Sequence, residues 1–526
     1  MSNKETAIST VRQGRVVPGA AALAVVAGLV TAGLHSIWLI FCSFAFLAMI
    51  GGASCVARAI YCQSKQVEQN DEGRRHFSFL IVTFVGFFSL LMAVLVPPLQ
   101  SPDELAHINR AYSLLQGNVM LEKLGLRENM YVEKSLLDYG NMWGTALPLK
   151  PDVQIKREME LKSRKIRWSE SQVAYYNPAA IYFPALYAPA SVAMGLARNM
   201  SQPPWVVMMW ARLGMWGASV CLLGLALLIV RGGFRMMCGV ALLPMCLAQF
   251  GSGNLDSVTI TGTFLFFAIF SWLFSAEARA FTEEVRFCAW KSALLLLGLL
   301  ALAKPVFLVL LVLPAFLALR DRDVAKLIPG IVILFFVLAW QYHVAHYFSN
   351  PNMAVTGSPF DRLARTLMSP GEALALLMRT FEIKARFYWE SMVGILGYLD
   401  TPLLKGTYTA SGILLALALV SDLLAPVRLG PAARSALGVA AVGYVVGAML
   451  LLWVTWTVPE SKTIEGVQGR YFLPVLPVLA ITFGGLVPGR HWAVPMFQRL
   501  VTACFVAYMI TLVIDIPTIL LNRYWL

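Results

Sequence analysis

Long apolar runs separated by short basic connectors fill most of the chain from about residue 18 to its end. A bilayer core takes about 20 apolar residues in a helix, and on that measure the pattern predicts thirteen spans. They cover roughly 18–34, 37–58, 76–98, 204–230, 235–251, 256–275, 289–303, 305–319, 327–347, 406–425, 435–457, 470–487 and 499–521. Cytoplasmic connectors of membrane proteins are rich in Lys and Arg, which fixes the expected orientation. Lys4, Arg12 and Arg15 place the N-terminus in the cytoplasm. Further cytoplasmic turns are marked by Arg58 to Arg75, Arg231 and Arg235, Arg320 to Lys326, Arg428 to Arg434, and Arg490 to Arg499.

The segment 175–200 is apolar enough to invite a further span, but Pro178, Pro184 and Pro189 interrupt it and Tyr175, Tyr176, Tyr182 and Tyr187 stud it. Proline breaks helices and tyrosine favours the membrane–water boundary, so this stretch is expected to lie in the interface or dip part-way in. A full crossing there would also invert every later basic connector. Long polar loops then fall on one face, at 99–203 and 348–405, with a shorter one at 458–469. The chain divides into a tail and two-helix hairpin (1–75), a core holding the first outer loop (76–347), a second outer loop (348–405) and C-terminal spans (406–526). The fold class is an all-α polytopic membrane protein.

Composition agrees with this division. Of 526 residues 58% are hydrophobic and 13% charged, whereas a soluble domain carries roughly 25% charged residues. The net charge of +13 follows the positive-inside bias and contact with anionic headgroups rather than nucleic-acid binding. Eight cysteines sit in or beside apolar runs, with neither a disulfide framework nor metal-type spacing. The polar, basic first seventeen residues carry no cleavable signal pattern. An asymmetry with all long polar sequence on one side suits an enzyme working at the outer surface, and no inverted repeat of the transporter kind is visible.

The densest chemistry follows the third span, in Pro97-Pro-Leu-Gln-Ser-Pro-Asp-Glu-Leu-Ala-His-Ile-Asn-Arg110. Ser101 is placed to cap a helix whose first residue is Pro102, with Asp103 and Glu104 in its first turn. Acidic residues there are ordinary partners of the helix dipole. Two adjacent carboxylates at the exit of a membrane helix are also placed to act as general base towards a hydroxyl. His107, one turn on, shares their face and could orient them; Arg110 follows. Elsewhere, Asp256 begins a helix after Gly251-Ser-Gly-Asn254, and Lys304-Pro305 interrupts a long apolar stretch, the kind of embedded ionisable group that marks function. Gln468-Gly-Arg470 opens a late span, where the guanidinium could grip phosphate in bidentate fashion or pair with Asp400 or Glu460. The basic run Lys150 to Arg167, interleaved with Glu158 and Glu160, reads as a solvated charged helix or as a surface for anionic groups.

An acidic pair directly after a transmembrane helix resembles the GT-C superfamily of integral membrane glycosyltransferases. Five stretches in order resemble the bacterial membrane-protein family "domain of unknown function 2142". These are Pro97 to His107, Tyr176 to Tyr182, Leu243 to Gln249, Gly394 to Pro402 and Gly466 to Pro474, spanning about residues 76–490. The resemblance implies a GT-C-like fold in the bacterial cytoplasmic membrane. It further implies a polyprenyl-phosphate-linked sugar donor, a glycan or lipid-linked acceptor at the outer face, and inverting transfer. On that footing Asp103, Glu104 and His107 are catalytic candidates. Lys304, Arg470, Gln468 and Arg110 are candidates for the donor phosphate, and Asp256 and Asp400 for a second acidic position. A divalent cation, Mg²⁺ or Mn²⁺, stays open. So do a transporter or flippase of lipid-linked sugars and a glycan polymerase or ligase.

Overall fold

The computed structural model describes residues 36–66, 72–348, 359–425, 429–458, 460–486 and 493–526. The expected span 18–34, the basic residues before it, Arg428 and Arg490 lie outside these. The described chain is almost wholly helical. Its helices are α1 Ile37–Gln66, α2 Glu72–Leu95, α3 Glu104–Gln116, α4 Lys134–Ala146, α5 Arg157–Arg164, α6 Ala188–Asn199, α7 Pro204–Ile229, α8 Phe234–Ala241, α9 Pro244–Phe250 and α10 Leu255–Phe274. They continue as α11 Glu283–Ala303, α12 Val312–Asp321, α13 Ile328–Tyr347, α14 Pro359–Met368, α15 Pro370–Val393, α16 Lys405–Leu423, α17 Pro431–Thr455, α18 Leu476–Phe483 and α19 Ala493–Tyr524.

Among the described residues nine stretches are long and apolar enough to cross a membrane, from Ile37–Cys62 to Val494–Tyr524. Three expected spans are not continuous helices. The run 235–251 breaks into α8 and α9 at Leu242-Leu243-Pro244. The run 305–319 starts as a 3-10 turn, Pro305–Leu311, before α12, and 470–487 starts as a 3-10 turn, Gly469–Phe472, before α18. Proline supplies no N–H and clashes with the preceding turn, and Pro244, Pro305, Pro474 and Pro477 stand at or beside the breaks.

The broken elements nonetheless run between the same two ends as the long helices. At one end Asp422 accepts from the Arg235 and Met236 amides (3.2 and 2.8 Å). There too Arg434 donates to the carbonyls of Thr482 and Gly484 (2.7 Å each), and Arg74 to that of Leu227 (3.1 Å). At the other end Arg523 pairs with Asp400 at 3.0 Å, and Lys304 with Asp256. The hydrophobic pattern also sorts the helices by depth. Helix α10 is apolar on every face and its spanning window is wholly buried, packed against α7 and α11, whereas only 11% of the window ending at Tyr347 is buried. A helix apolar all round belongs either inside a protein or in lipid, and these two show both cases.

No continuous helix covers 175–200. Two 3-10 turns, Pro178–Ile181 and Pro184–Tyr187, lead into the twelve-residue α6. Helix α6 lies along α7, and Gly214 has no side chain where the Pro189 carbonyl comes up against it. The segment therefore reaches partway down α7, as expected of a stretch that dips without crossing. Nearby, β1 Met130–Glu133 and β2 Gln172–Tyr175 pair antiparallel, with Met130 opposite Tyr175. A second hairpin joins β3 Ile395–Leu396 to β4 Thr401–Pro402. Helix α5 bears the ladder Lys162–Glu158 (2.7 Å) and Arg164–Glu160 (2.5 Å), all exposed or half-buried, so that part of the basic run is a solvated charged helix.

Candidate functional site

The chain leaves α2 through two tight turns. Gln100 N donates to Pro97 O (3.4 Å) and Glu104 N to Ser101 O (3.2 Å). Helix α3 therefore begins at Glu104, two residues later than expected, and Asp103 rather than Ser101 is its N-cap. Ser101 instead accepts from the Asn254 side-chain amide at 2.8 Å. Asp103 adopts the left-handed conformation, φ 63°, and its carboxylate makes no capping bond. Positive φ outside glycine costs of order 1–3 kcal/mol and persists only where the surroundings impose it. The helix-start role thus does not account for this side chain.

Its neighbour has a different fate. Glu104 is fully buried and forms a two-point pair with Arg212 of α7, Nε to Oε1 at 2.8 Å and Nη2 to Oε2 at 2.7 Å. Gly253 N and Leu99 N also donate to it, at 2.8 and 3.0 Å. The rest of the Arg212 guanidinium donates to the carbonyls of Ala93, Val96 and Pro97 (2.8 to 2.9 Å). This clasp ties the end of α2, the start of α3, α7 and the α9–α10 turn together. Glu104 has no capacity left for a substrate proton, which corrects its place among the catalytic candidates. Arg212 was not singled out from sequence, although one arginine inside an apolar run is a recognisable signal.

Asp103 faces a different company. Asp256, in the first turn of α10, pairs through Oδ1 with Lys304, which caps α11, and through Oδ2 with Arg470 Nε at 3.4 Å. Arg470 is almost wholly buried and its Nε has no hydrogen-bond acceptor. Desolvation raises the Asp103 carboxyl above the usual range. Arg470 and Lys304 oppose that shift and Asp256 adds to it. Tyr398, from the β3–β4 turn, lies against Asp103, and burial, chiefly, raises its phenol. Four residues from four separate parts of the sequence therefore meet: Asp103, Asp256, Lys304 and Arg470.

His107 does not orient either carboxylate. Its Nδ1 meets the Tyr187 hydroxyl at 2.5 Å and its ring stacks on Tyr182 at 5.8 Å. Burial holds its pKa down to about 3 against the opposing charge of Asp256, so the ring is neutral. Arg110 is also directed elsewhere, donating to Tyr182 O (3.1 Å) and Val119 O (2.9 Å) in full burial, a brace rather than a phosphate ligand. Asp400 pairs with Arg523 (3.0 Å), not Arg470, and also accepts from Leu149 N (3.1 Å) and Thr401 Oγ1 (3.0 Å), so it closes the C-terminal helix onto the loops. Gln468 precedes the 3-10 turn that carries Arg470, with its Oε1 buried and unpartnered.

A narrow crevice opens beside the cluster, its walls including Met92, Ser101, Pro102, Gln249, Leu399 and Arg470. Asp103 follows Pro102 but is not itself a wall residue. A divalent cation finds a poor donor set here: both Asp256 oxygens face cations, and among the described residues no three His, Cys, Asp or Glu side chains converge to hold a metal. Neither a curated protein nor a solved structure matches this chain. The ordered stretches read from the sequence are matched by a family model described as "Predicted membrane protein (DUF2142)" over residues 84–479, which takes in Asp103, Asp256, Lys304 and Arg470 alike, and the chain belongs to that family.

Proposed function

We propose that this protein is a membrane glycosyltransferase of GT-C type, moving a sugar from a polyprenyl-phosphate-linked donor to a glycan or lipid-linked acceptor. The observation that carries the reading is the contrast within Asp103-Glu104. One carboxylate is consumed by Arg212, while the other is uncapped and raised in pKa beside the half-buried Lys304 and the buried Arg470. A carboxyl poised nearer neutrality is a better general base than an ordinary aspartate. Asp103 removes the proton from the acceptor hydroxyl, whose oxygen bonds to the anomeric carbon. The bond from that carbon to the phosphate oxygen breaks, and the electron pair leaves with the polyprenyl phosphate. Lys304 and Arg470 stabilise that developing anion, and Asp256 holds both cations in place before the phosphate arrives.

The orientation supports an outer-face site in the bacterial cytoplasmic membrane. Arg74, Arg231, Arg235, Arg434 and the Arg320–Lys326 turn gather at the end opposite Asp103, as cytoplasmic basic residues do. A transporter of lipid-linked sugars would use the same cations without a base. The test is a proteoliposome assay with a radiolabelled polyprenyl-phosphate sugar. Label passing to a glycan or lipid acceptor, with release of polyprenyl phosphate, is the expected result. Donor that crosses the bilayer unchanged, with no transfer to any acceptor, would replace the enzyme by a flippase.

A further inference from the structure

Residues 348–405 read from the sequence as an aqueous outer loop, but the helices within it expose a run of large apolar side chains. On α14 Arg362 is only 6% exposed, whereas Leu367 is 64% and Met368 82% exposed. Arg362 donates to the Thr457 carbonyl, and its guanidinium lies 3.9 Å from the Trp453 ring centroid. Trp453 Nε1 in turn donates to Thr366 Oγ1 at 3.1 Å. Helix α15 continues the pattern. Thr380 is fully buried and accepts from Ile464 N (3.1 Å), and Lys384 pairs with Glu465 at 2.7 Å, while Met378 and Ile383 are 65% and 62% exposed. A helix on an aqueous surface turns its cations out and its leucines in. Here Arg362 is turned in and Leu367, Met368, Leu374, Met378 and Ile383 are turned out, beside the exposed charges of Arg365, Arg379 and Arg386.

Their height in the molecule says which solvent they meet. Thr457 and Trp453 mark the C-terminal end of α17, a helix long and apolar enough to cross the bilayer. Trp453 and Trp456 there match the preference of tryptophan for the hydrocarbon–headgroup boundary. Helix α14 is therefore fastened at the level where a spanning helix leaves the hydrocarbon. Helix α14 packs against α17, on which Leu451 and Trp456 are themselves exposed. An exposed apolar patch of this kind marks an interaction surface, and the surface it adjoins is already a lipid-facing one.

We propose that α14 and the first half of α15 lie in the interfacial layer of the bilayer, with Leu367, Met368 and Met378 against lipid acyl chains. Arg365 and Arg379 are exposed on the same helices and reach the phosphates of the headgroups by their long stems. This surface does not depend on the chemistry at Asp103. It does adjoin it: Ser391, near the end of α15, accepts from Gly469 N at 2.8 Å and so holds the turn that carries Arg470.

The test uses the full chain in proteoliposomes, with its two exposed native cysteines, Cys62 and Cys221, replaced by alanine. A nitroxide is attached at Leu367→Cys and at Met378→Cys, with Ile383→Cys as a further site should either lower the melting temperature. Val442→Cys on α17 calibrates lipid exposure and Lys156→Cys calibrates water. The labels at 367 and 378 should collide with oxygen in preference to a water-soluble nickel chelate, as at 442. Collisions dominated by nickel, as at 156, overturn the proposal. Low collision with both reagents overturns it equally, since a second copy or another protein would then cover the face.

Discussion

Two carboxylates adjacent in sequence end up in opposite circumstances. Glu104 is enclosed, paired at two points with Arg212, and bonded to two backbone amides. Asp103 is held at positive φ, and its carboxylate makes no capping bond to its own helix. Asp103 stands outside the helix as its left-handed N-cap, so its side chain is not carried along with the helical face that buries Glu104. The clasp at Glu104 makes that arrangement rigid. It fixes the end of α2 to Arg212 and the turn before α10 to Glu104 itself, the segments next to Asp103 and Asp256. On the proposed function, completeness of bonding separates the carboxylate that holds the architecture from the one that does the chemistry.

The largest effect that would break this comparison belongs to the clasp. Glu104→Ala leaves Arg212 buried and uncompensated, and removing one partner of such a pair costs about 3–5 kcal/mol. Thermal unfolding in detergent should register a loss of that order; a variant with an unchanged melting temperature would make the clasp incidental. Next comes Arg470→Lys, which keeps the charge but loses the planar fork. The forfeited charge-assisted bond is worth roughly 1.5–3 kcal/mol, so donor use, measured as kcat/KM, should fall by about 10- to 100-fold with stability intact. Unchanged donor use would return Arg470 to being only a partner of Asp256.

The smallest effect sharpens the role of His107. Its folded pKa, about 3, is below the unfolded value near 6.5. The unfolded chain therefore binds a proton that the folded chain refuses, and this contribution to stability is present above pH 6.5 and lost as pH falls towards 3. His107→Gln should flatten the acid side of a stability-versus-pH curve in that window. An equal acid loss in the variant would assign it to other groups.

Much of the plan was legible in the sequence because lipid imposes long apolar runs and a simple charge bias. The nine long apolar helices among the described residues and the interrupted stretch at 175–200 follow from those two constraints. Three spans were misjudged as continuous because window hydropathy is blind to where a proline falls; Pro244 and Pro305 stop helices without making the run less apolar. At the site, Asp103, Asp256, Lys304 and Arg470 were recognisable as charges at span ends, and their meeting was not, since it depends on how α3, α10, α11 and the Gly469–Phe472 turn converge. Arg110 and Asp400 carry the same chemistry in the same loops, and only their partners, backbone carbonyls and Arg523, set them apart as structural. The helices at 359–393 look like aqueous loop in composition because their charges are many; that Arg362 turns inward and Leu367 and Met368 outward is a tertiary fact.

The most direct test of the account compares Asp103→Asn with Glu104→Gln in the same membranes, each assayed for melting temperature and for transfer from a polyprenyl-phosphate sugar. Asparagine is nearly isosteric and tolerates the left-handed backbone, yet it cannot accept a proton. General-base assistance contributes about 10²–10⁴-fold in rate. Asp103→Asn should therefore keep the wild-type melting temperature and lose transfer by about that factor, while Glu104→Gln should lose stability first and activity only through it. Full transfer activity in Asp103→Asn, or a stable Glu104→Gln protein devoid of transfer, would contradict the division of labour between the two carboxylates.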